Sequence, residues 1–403
     1  MVLPFLILSA VSSFSGNDLS ERIISASISF EKTDRAEKLE GEIIYTAFSP
    51  SEAGRLSRIS YDASRSSLST YEITGFSEET NEEIMPLKIE KISTSSGLPF
   101  SYSGYVEEYA VFPDFWGRAV IKIRYSMLTD STIWGNDFIF SLPVGDQLPI
   151  DSLHIFVISL KPFTWKCGEK SGDVTPVPGI PETLSVSFFS LDAVDADIYP
   201  SEGLFFKASS FNDFSQIARK CLVLFGGKLR ADSVVRQKAL ELSTGFSREE
   251  RARRIFDFVS SSIAYTAIEW GWRGFYPQEP SLTLSAGRGD CKDKVSLLIA
   301  MLESAGIRAW PALLATRGSP DVSLSPPAVF FNHVIALVEI KSESIFCDPS
   351  DFGTPFGVLP LRDRSVNALV LFDDSFMLMR TPSDFEETYR RVITGFISSD
   401  GMA

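Results

Sequence analysis

One cysteine in this chain stands where a protein can make a thiol reactive. Cys291 follows Asp290 and comes shortly before an apolar run, residues 295–302, that only Ser296 interrupts. The pattern predicts a buried helix that Asp290 caps, that carries Cys291 at its first position and that stops at Gly306. The free N–H groups and the positive dipole of a helix start favour a thiolate, so Cys291 is a candidate nucleophile. The alternative interpretation is a cysteine that only fills space at the helix start.

The chain has two histidines to serve as the base that a cysteine nucleophile usually needs. His154 lies in a strand-like stretch without a cysteine nearby, which favours a structural role. His333 lies in a β-branched and aromatic run, and a second short strand ends at Asp348. If these strands pair antiparallel around a turn centred near Ile340–Ser342, the carboxylate of Asp348 reaches the imidazole of His333. The hypothesis therefore requires one particular register.

Two kinds of secondary structure are expected to position these residues. From Ile23 to about Phe211, short β-branched and aromatic stretches alternate with Ser, Asn, Gly and Pro, which predicts an antiparallel β-sandwich. Helical patterns begin near Ser233, which is predicted to cap a helix, and Ser247 with Glu250 forms a capping box before the next one. We therefore expect an α+β chain of several domains, with the cysteine helix and the histidine strand in the second one.

A Gly-rich aromatic loop, residues 269–278, precedes the cysteine helix. Loops beside a rigid scaffold commonly hold substrate, so Trp270 and Trp272 are candidates for the wall of a cleft. Gln278 is a candidate hydrogen-bond donor to an oxyanion. Local packing is the alternative role for all three side chains.

Together these motifs resemble the core of the transglutaminase-like cysteine superfamily. The resemblance rests on a Gly-Asp-Cys-Lys-Asp-Lys motif before an apolar helix, then Phe-Asn-His, then a strand that ends in Cys-Asp-Pro-Ser. It implies a papain-like catalytic core in which Cys291 is the nucleophile, His333 the base and Asp348 the residue that orients the imidazole. It also points to bacterial proteins that carry a β-rich domain of the type called DUF3857 in front of that core.

The resemblance and the sequence patterns imply a domain plan. Residues 1–18 predict a signal peptide from the length of their apolar stretch, although no Lys or Arg precedes it. Residues 19–225 are expected to form the DUF3857-like β-sandwich and residues 230–380 the transglutaminase-like catalytic domain. Residues 381–403 predict the start of a truncated C-terminal β domain or a tail. The signal peptide implies an extracytoplasmic protein, either periplasmic or secreted.

The composition argues against several functional classes. The 403 residues carry a formal net charge of −14, which disfavours nucleic-acid binding and adhesion to anionic lipid. The four cysteines are scattered and histidine is scarce, so no zinc site, other metal site or disulfide scaffold is indicated. No segment after the first residues is apolar enough for an integral membrane helix. Cys347 alternates with Asp348 along its strand and is expected to face the core.

The expected chemistry is acyl transfer on peptide or other carboxamide bonds through a thioester intermediate. Water as the acceptor makes the protein a cysteine protease or amidase, which is our first choice, with a protein or peptide as its partner. An amine as the acceptor makes it a protein-glutamine amine transferase that cross-links proteins. A third alternative is a catalytically silent surface scaffold or binding protein. The enzymatic readings require no metal or organic cofactor.

Overall fold

The computed structural model describes residues 21–34, 36–93, 105–130, 133–146, 148–194, 205–267, 274–319, 323–324, 326–329, 331–341 and 343–383. A front part made mostly of strands is followed by a back part in which helices pack on a sheet. This mixed organisation confirms the α+β fold class expected from the sequence. The signal-peptide pattern and the last residues of the C-terminal segment lie outside the described residues. None of the described helices is long and apolar enough to cross a membrane.

The front part contains strands β1 to β14 and the short helix α1. In chain order their bounds are β1 Ile23–Lys32, β2 Ala36–Ala47, α1 Pro50–Leu56, β3 Ile59–Asp62, β4 Ser66–Ser77, β5 Glu83–Ile84, β6 Lys88–Ser93, β7 Tyr105–Val111, β8 Ala119–Asp130, β9 Ile139–Pro143, β10 Ile150–Ser159, β11 Phe163–Cys167, β12 Lys170–Val174, β13 Glu182–Leu191 and β14 Phe205–Ser209.

Side chains that alternate between core and surface explain the front sheets. In β8, Ile121, Ile123 and Tyr125 are buried while the residues between them are more exposed, as expected of a strand covered on one face. The strands form a seven-stranded sheet in the order β13-β10-β1-β2-β8-β4-β5 and a three-stranded sheet in the order β3-β7-β6. A four-stranded sheet, β12-β11-β14-β9, packs on the large one, where the rings of Phe30 and Phe140 stack at 4.6 Å between centroids.

One pair of strands differs from the purely antiparallel sandwich that the sequence predicts. β1 pairs with β10 in parallel, with Ile28 opposite Ile155. Most of the front part lies between these two strands, so no tight turn fixes their relative direction. Their alternating pattern of buried residues is compatible with either direction, and the sequence pattern therefore could not distinguish the two.

The back part contains helices α2 to α6 and strands β15 to β23. In chain order their bounds are α2 Phe214–Phe225, α3 Ser233–Ser243, α4 Arg248–Ser262, β15 Ala264–Tyr265, α5 Pro280–Ala286, β16 Arg288–Gly289, α6 Cys291–Ser304, β17 Ala309–Leu314, β18 Ser323–Leu324, β19 Pro327–Ala328, β20 His333–Ile340, β21 Glu343–Cys347, β22 Asn367–Leu371 and β23 Phe376–Arg380.

Helix α6 lies at the centre of the back part. It contacts α3, α4 and α5, and it also contacts β17 and β20 of a five-stranded antiparallel sheet in the order β21-β20-β17-β22-β23. Every residue from Lys292 to Leu302 is buried, as expected of a helix that is apolar on nearly all sides. The helix ends at Ser304, and Gly306 follows with a φ of 77°, the left-handed conformation that glycine adopts readily. The buried helix predicted from the sequence is confirmed.

The buried side chains form two main clusters. One joins the front sheets and α1, from Ile23 to Ala208. The other joins the helices and the five-stranded sheet, and it includes Trp134 from the front part. Helix α2 contributes to this second cluster, so it packs with the helices that follow it. The expected domain bounds, with the first domain ending at residue 225, remain predictions.

Candidate active site

The first turn of α6 is built around backbone groups that a helix start leaves unpaired. The carboxylate of Asp290 accepts the N–H of Asp293 at 3.1 Å, and the Asp293 carboxylate accepts the N–H of Asp290 at 3.4 Å. Asp293 also accepts the backbone N–H of Gln278 at 2.8 Å, which fastens the preceding loop to the helix. Cys291 is half-buried, whereas the other three cysteines of the chain are buried. It is therefore the cysteine that a substrate can reach.

The pairing of β20 with β21 brings His333 and Asp348 onto one face of the sheet. Ile340 lies opposite Glu343, so only two residues connect the strands. Lys341 in this connection has a φ of 57°, a conformation typical of two-residue hairpin turns. The same register, continued past the end of β21, sets Asp348 one diagonal step from His333. The register that the sequence hypothesis requires is confirmed.

Asp348 is fully buried, and both of its oxygens are hydrogen-bonded. Oδ2 lies 3.1 Å from Nε2 of His333 and accepts from Nη2 of Arg362 at 2.8 Å. Oδ1 accepts the backbone N–H of Ser350 at 2.8 Å. Burial alone would raise the pKa of Asp348, but the hydrogen bond and charge of His333, together with Ser350, hold it below its ordinary value. Asp348 is therefore an anion that fixes the position of the imidazole.

His333 connects this anion to the cysteine. Nε2 faces Asp348, which leaves the other ring nitrogen for Cys291, whose side chain is hydrogen-bonded to His333. Burial would lower the pKa of His333, but the hydrogen bonds and charges of Asp348 and Cys291 outweigh it and raise the pKa well above its ordinary value. The structure thus brings Cys291, His333 and Asp348 into contact in that order.

A second carboxylate, Asp363, lies beside this group and was not expected from the sequence. Its Oδ2 is 3.7 Å from Nε2 of His333, and neither oxygen has a hydrogen-bond partner among the described residues. Burial, opposed by the charge of His333 and reinforced by that of Asp348, raises the pKa of Asp363 to about 7. Its neighbour Arg362 was missed as well. The available signal was the charged run from Arg362 to Arg364, which interrupts an otherwise apolar stretch.

Lys294, one turn into α6, ties the helix to its neighbour. Its Nζ donates to the carbonyl oxygens of Ser260 and Ile263 at 3.2 and 2.6 Å, at the end of α4. Burial lowers the pKa of Lys294 to about 8, although the charge of Asp348 acts in the opposite direction. The lysine thereby donates hydrogen bonds to carbonyl groups that the end of α4 leaves unpaired.

A cleft of about 260 Å³ opens over Cys291 and His333. Its wall combines polar side chains with apolar ones, which include Phe275 and Phe331. The guanidinium of Arg65, from the front part, lies 4.6 Å from the ring centroid of Phe275, so the front part supports one wall. A larger cavity of about 910 Å³ at the far end of α6 has neither cysteine nor histidine in its lining. The smaller cleft is therefore the candidate site, because it contains Cys291 and His333.

The structure describes one of the three loop candidates. Trp270 and Trp272 lie outside the described residues. The side chain of Gln278 donates to the carbonyl oxygen of Arg288 at 3.5 Å. The structure does not bring this side chain into the lining of the cleft around Cys291. Gln278 has instead a visible role in holding the loop before the helix.

Two other residues have the packing roles that the sequence predicts. Nδ1 of His154 lies 2.8 Å from Oγ of Ser187, within the seven-stranded sheet of the front part. Cys347 is fully buried in the cluster that surrounds α6. Neither residue lines the cleft.

Three donor groups at the site are close enough to share one metal ion. Ligand atoms of His333, Asp348 and Asp363 lie within 4.8 Å of one another. However, Nη2 of Arg362 lies 2.8 Å from the Asp348 carboxylate and already supplies positive charge there. This guanidinium would repel a metal cation. The three side chains are therefore better suited to sharing protons than to binding a metal.

Comparison with known proteins relates this geometry to a family. Residues 236–340, which include Cys291 and His333 but end before Asp348, match the family model of the transglutaminase-like superfamily. Among curated proteins, none matches this sequence.

A crystal structure from Parabacteroides distasonis, described as a "putative protease", is 13% identical with a TM-score of 0.70, over 90% of this chain and 72% of that chain. A "putative cysteine protease" from Cytophaga hutchinsonii is also 13% identical and covers 89% of this chain and 94% of its own, but its TM-score is 0.25. An M1 zinc metallopeptidase from Deinococcus radiodurans is 9% identical over 47% of this chain and 42% of its own, with a TM-score of 0.24. The last two scores are too low to carry an argument.

The likeness to the Parabacteroides structure concerns the fold, because the shared identity is low. The family match is specific to the segment that holds the cysteine at the start of a buried helix and the histidine on the adjacent strand. The comparison therefore relates residues 236–340 of this chain to the transglutaminase-like superfamily.

Proposed function

We propose that this protein is a cysteine-dependent enzyme that cleaves peptide or other carboxamide bonds by acyl transfer to water. The observation that carries the proposal is the continuous contact from Cys291 through His333 to Asp348 at the cleft. The three side chains come from the start of α6, the start of β20 and the residue that directly follows β21. Side chains from three separate parts of the chain converge in this contact, which supports chemistry over packing.

The mechanism has two halves that use the same histidine. The sulfur of Cys291 attacks the carbonyl carbon, and the C–N bond breaks as His333 donates a proton to the leaving amine. This leaves a thioester on Cys291. Water then attacks the thioester while His333 takes its proton, and the carboxylic acid leaves with the thiol restored. Asp348 stays ionised throughout and holds the imidazole in place.

The start of α6 can also stabilise the negative charge that develops on the carbonyl oxygen. The N–H of Cys291 belongs to the first turn, where backbone N–H groups have no partner within the helix. Such a donor stabilises an oxyanion, and removing one typically costs about 10²–10³ in rate. We propose this N–H as one donor of the oxyanion site.

The proposed substrate is a protein or peptide. The cleft is bordered by aromatic and aliphatic side chains, among them Phe275, Phe331 and Val334, which suit the side chains of a peptide. Water is proposed as the acceptor because it needs no binding site of its own. A cross-linking enzyme would also have to bind the amine of a second molecule.

The test is to incubate the protein with peptide amides and a primary amine and to weigh the products by mass spectrometry. We expect free acid to exceed the amine adduct. Cys291→Ala should abolish turnover, and His333→Asn should lower it by about 10²–10⁴-fold. Cys167→Ala, which removes a buried thiol of the front part, is the matched control and should leave turnover unchanged.

Two outcomes would contradict this proposal, and each would favour one of the alternative functions. An excess of amine-bearing product would favour the cross-linking transferase. No product from any peptide, together with a Cys291 that is no more reactive than an ordinary thiol, would favour the silent scaffold.

A further inference from the structure

We propose that Asp363 is a positioning residue of this site, which shares a proton with Asp348 and through Asp348 sets how tightly His333 is held. This inference rests on the proposed function, because it concerns the same histidine. Asp363 lies outside the segment that matches the superfamily, residues 236–340.

The position of Asp363 is unusual for a carboxylate. It ends a 3₁₀ turn, Leu361–Asp363, and is fully buried. Its Oδ2 lies 3.7 Å from Nε2 of His333, and its Oδ1 lies 3.7 Å from Nε of Arg362. Both distances exceed that of a hydrogen bond. Neither oxygen has a hydrogen-bond partner among the described residues. Buried polar groups are nearly always paired, so an exception beside a reactive histidine calls for an explanation.

A proton on Asp363 provides that explanation. Two ionised carboxylates in one buried space repel each other, and a single shared proton removes the repulsion. Protonated Asp363 becomes a donor, and its carboxyl group is close enough to that of Asp348 for a hydrogen bond between them. Burial supports this state, because it raises the pKa of Asp363 to about 7 against the opposing charge of His333.

The proton on Asp363 changes what His333 experiences. While Asp363 is protonated, its hydrogen bond withdraws negative charge from Asp348 and loosens the hold of Asp348 on the imidazolium. When Asp363 ionises, a second negative charge lies near the imidazolium and strengthens that hold. The contact between His333 and Cys291 should therefore change as Asp363 titrates.

Other charged groups act on this pair from the surrounding elements. Arg362 in the 3₁₀ turn binds Asp348 at 2.8 Å and is itself bound by Asp351 at 3.3 Å. Lys294 in α6 acts on Asp348 through its charge. Ser350 adds neutral hydrogen bonds to Asp348. These neighbours stabilise one negative charge at Asp348, and Asp363 adds the second.

The experiment measures the rate at which iodoacetamide alkylates Cys291, from about pH 5 to about pH 9, by peptide mass spectrometry. It needs no substrate. Asp363→Asn removes the ionisation but keeps an N–H donor for Asp348, whereas Asp363→Leu removes both. Glu303→Gln is the matched control, because burial and the charge of Asp373 also raise the pKa of Glu303, but this residue lies at the far end of α6.

We expect the wild-type profile to contain an inflection near neutral pH that Asp363→Asn abolishes and Glu303→Gln preserves. The Asn variant should stay within about threefold of the wild-type plateau, because its amide still donates to Asp348. The Leu variant should react about threefold faster than the Asn variant at all pH values, because Asp348 then keeps its full charge and stabilises the imidazolium beside the Cys291 thiolate. An Asn variant with the wild-type profile, or a control that also loses the inflection, would overturn the proposal.

Failure of the proposed function is a separate result, in which wild-type Cys291 reacts no faster than an ordinary thiol at any pH. If the Asp363 variants do not fold, carbon NMR of the wild-type aspartate carboxyl groups replaces them. One signal should titrate near neutral pH and shift when Cys291 is alkylated. The absence of such a signal would overturn the shared proton.

Discussion

At the scale of single residues, the site depends on how Asp348 remains charged in a buried place. Moving a carboxylate out of water costs several kcal/mol, and nearby cations or hydrogen-bond donors must offset this cost. Asp348 has His333, Arg362 and Ser350 within hydrogen-bond distance. In the proposed mechanism, this charge keeps the imidazole of His333 oriented toward Cys291.

Replacing Asp348 with Asn should destabilise the protein by about 3–5 kcal/mol near neutral pH, because it leaves the buried imidazolium of His333 without its anion. The native pKa of Asp348 lies below its ordinary value, so its contribution is complete above its unfolded pKa of about 3.9. The contribution is lost as the pH falls through the lower native pKa. The free energies of unfolding of wild type and variant, measured in urea, should therefore converge only in acid.

Asp351→Asn is the control for this prediction. Asp351 binds the same guanidinium of Arg362 at 3.3 Å, but it is partly exposed. Its loss should cost less than about 1 kcal/mol. Equal losses from the two substitutions would show that Asp348 has no special role.

The sequence allowed some of these residues to be predicted and not others. Cys291 and Asp348 were predictable because each lies at the end of an element whose pattern is clear. Arg362 and Asp363 were not, because an irregular segment, residues 348–360, separates them from β21. Only the folded chain shows that the turn after Pro360 returns to the histidine.

At the scale of elements, the start of α6 positions Cys291, the proposed nucleophile. Asp290 caps the helix through Asp293, and its carboxylate also binds the buried ammonium group of Lys292. The helix start thus combines a backbone cap with a buried ion pair. Movement of this turn would move Cys291 relative to His333.

Two substitutions of Asp290 separate the cap from the ion pair. Asn caps a helix about as well as Asp, so Asp290→Asn should lose only the ion pair with Lys292. Asp290→Ala should lose the cap as well and be less stable than the Asn variant by about 1 kcal/mol. Chemical denaturation measures both values. If the two variants are equally stable, the side-chain cap does not hold this turn.

The elements show where sequence patterns have limits. The Ser247 cap before α4 was placed correctly, since its side chain accepts the N–H of Glu250, but the Glu250 carboxylate accepts from Arg254 at 3.1 Å and forms only half of the predicted capping box. The cap of α3 was predicted one residue late, because Asp232 rather than Ser233 accepts from Val235. Adjacent residues that can both cap a helix are not distinguished by type alone.

At the scale of the whole molecule, the site is assembled from segments that are distant in sequence. Helix α6 and the five-stranded sheet bring Cys291 and His333 together through a shared core. The front part reaches the same place, where Arg65 lies over Phe275 at the cleft. The resemblance of the front part to DUF3857-type domains remains a prediction. The export of the protein also remains a prediction.

The rate of Cys291 alkylation in the intact protein near neutral pH tests the central claim most directly. We predict that Cys291 reacts at least about tenfold faster than the same thiol in the unfolded chain, because His333 takes up its proton. His333→Asn should remove this acceleration. His154→Asn, which alters the other histidine of the chain, should leave it intact. A Cys291 that reacts like an ordinary thiol, or whose rate does not change in His333→Asn, would contradict the relay from Cys291 through His333 to Asp348.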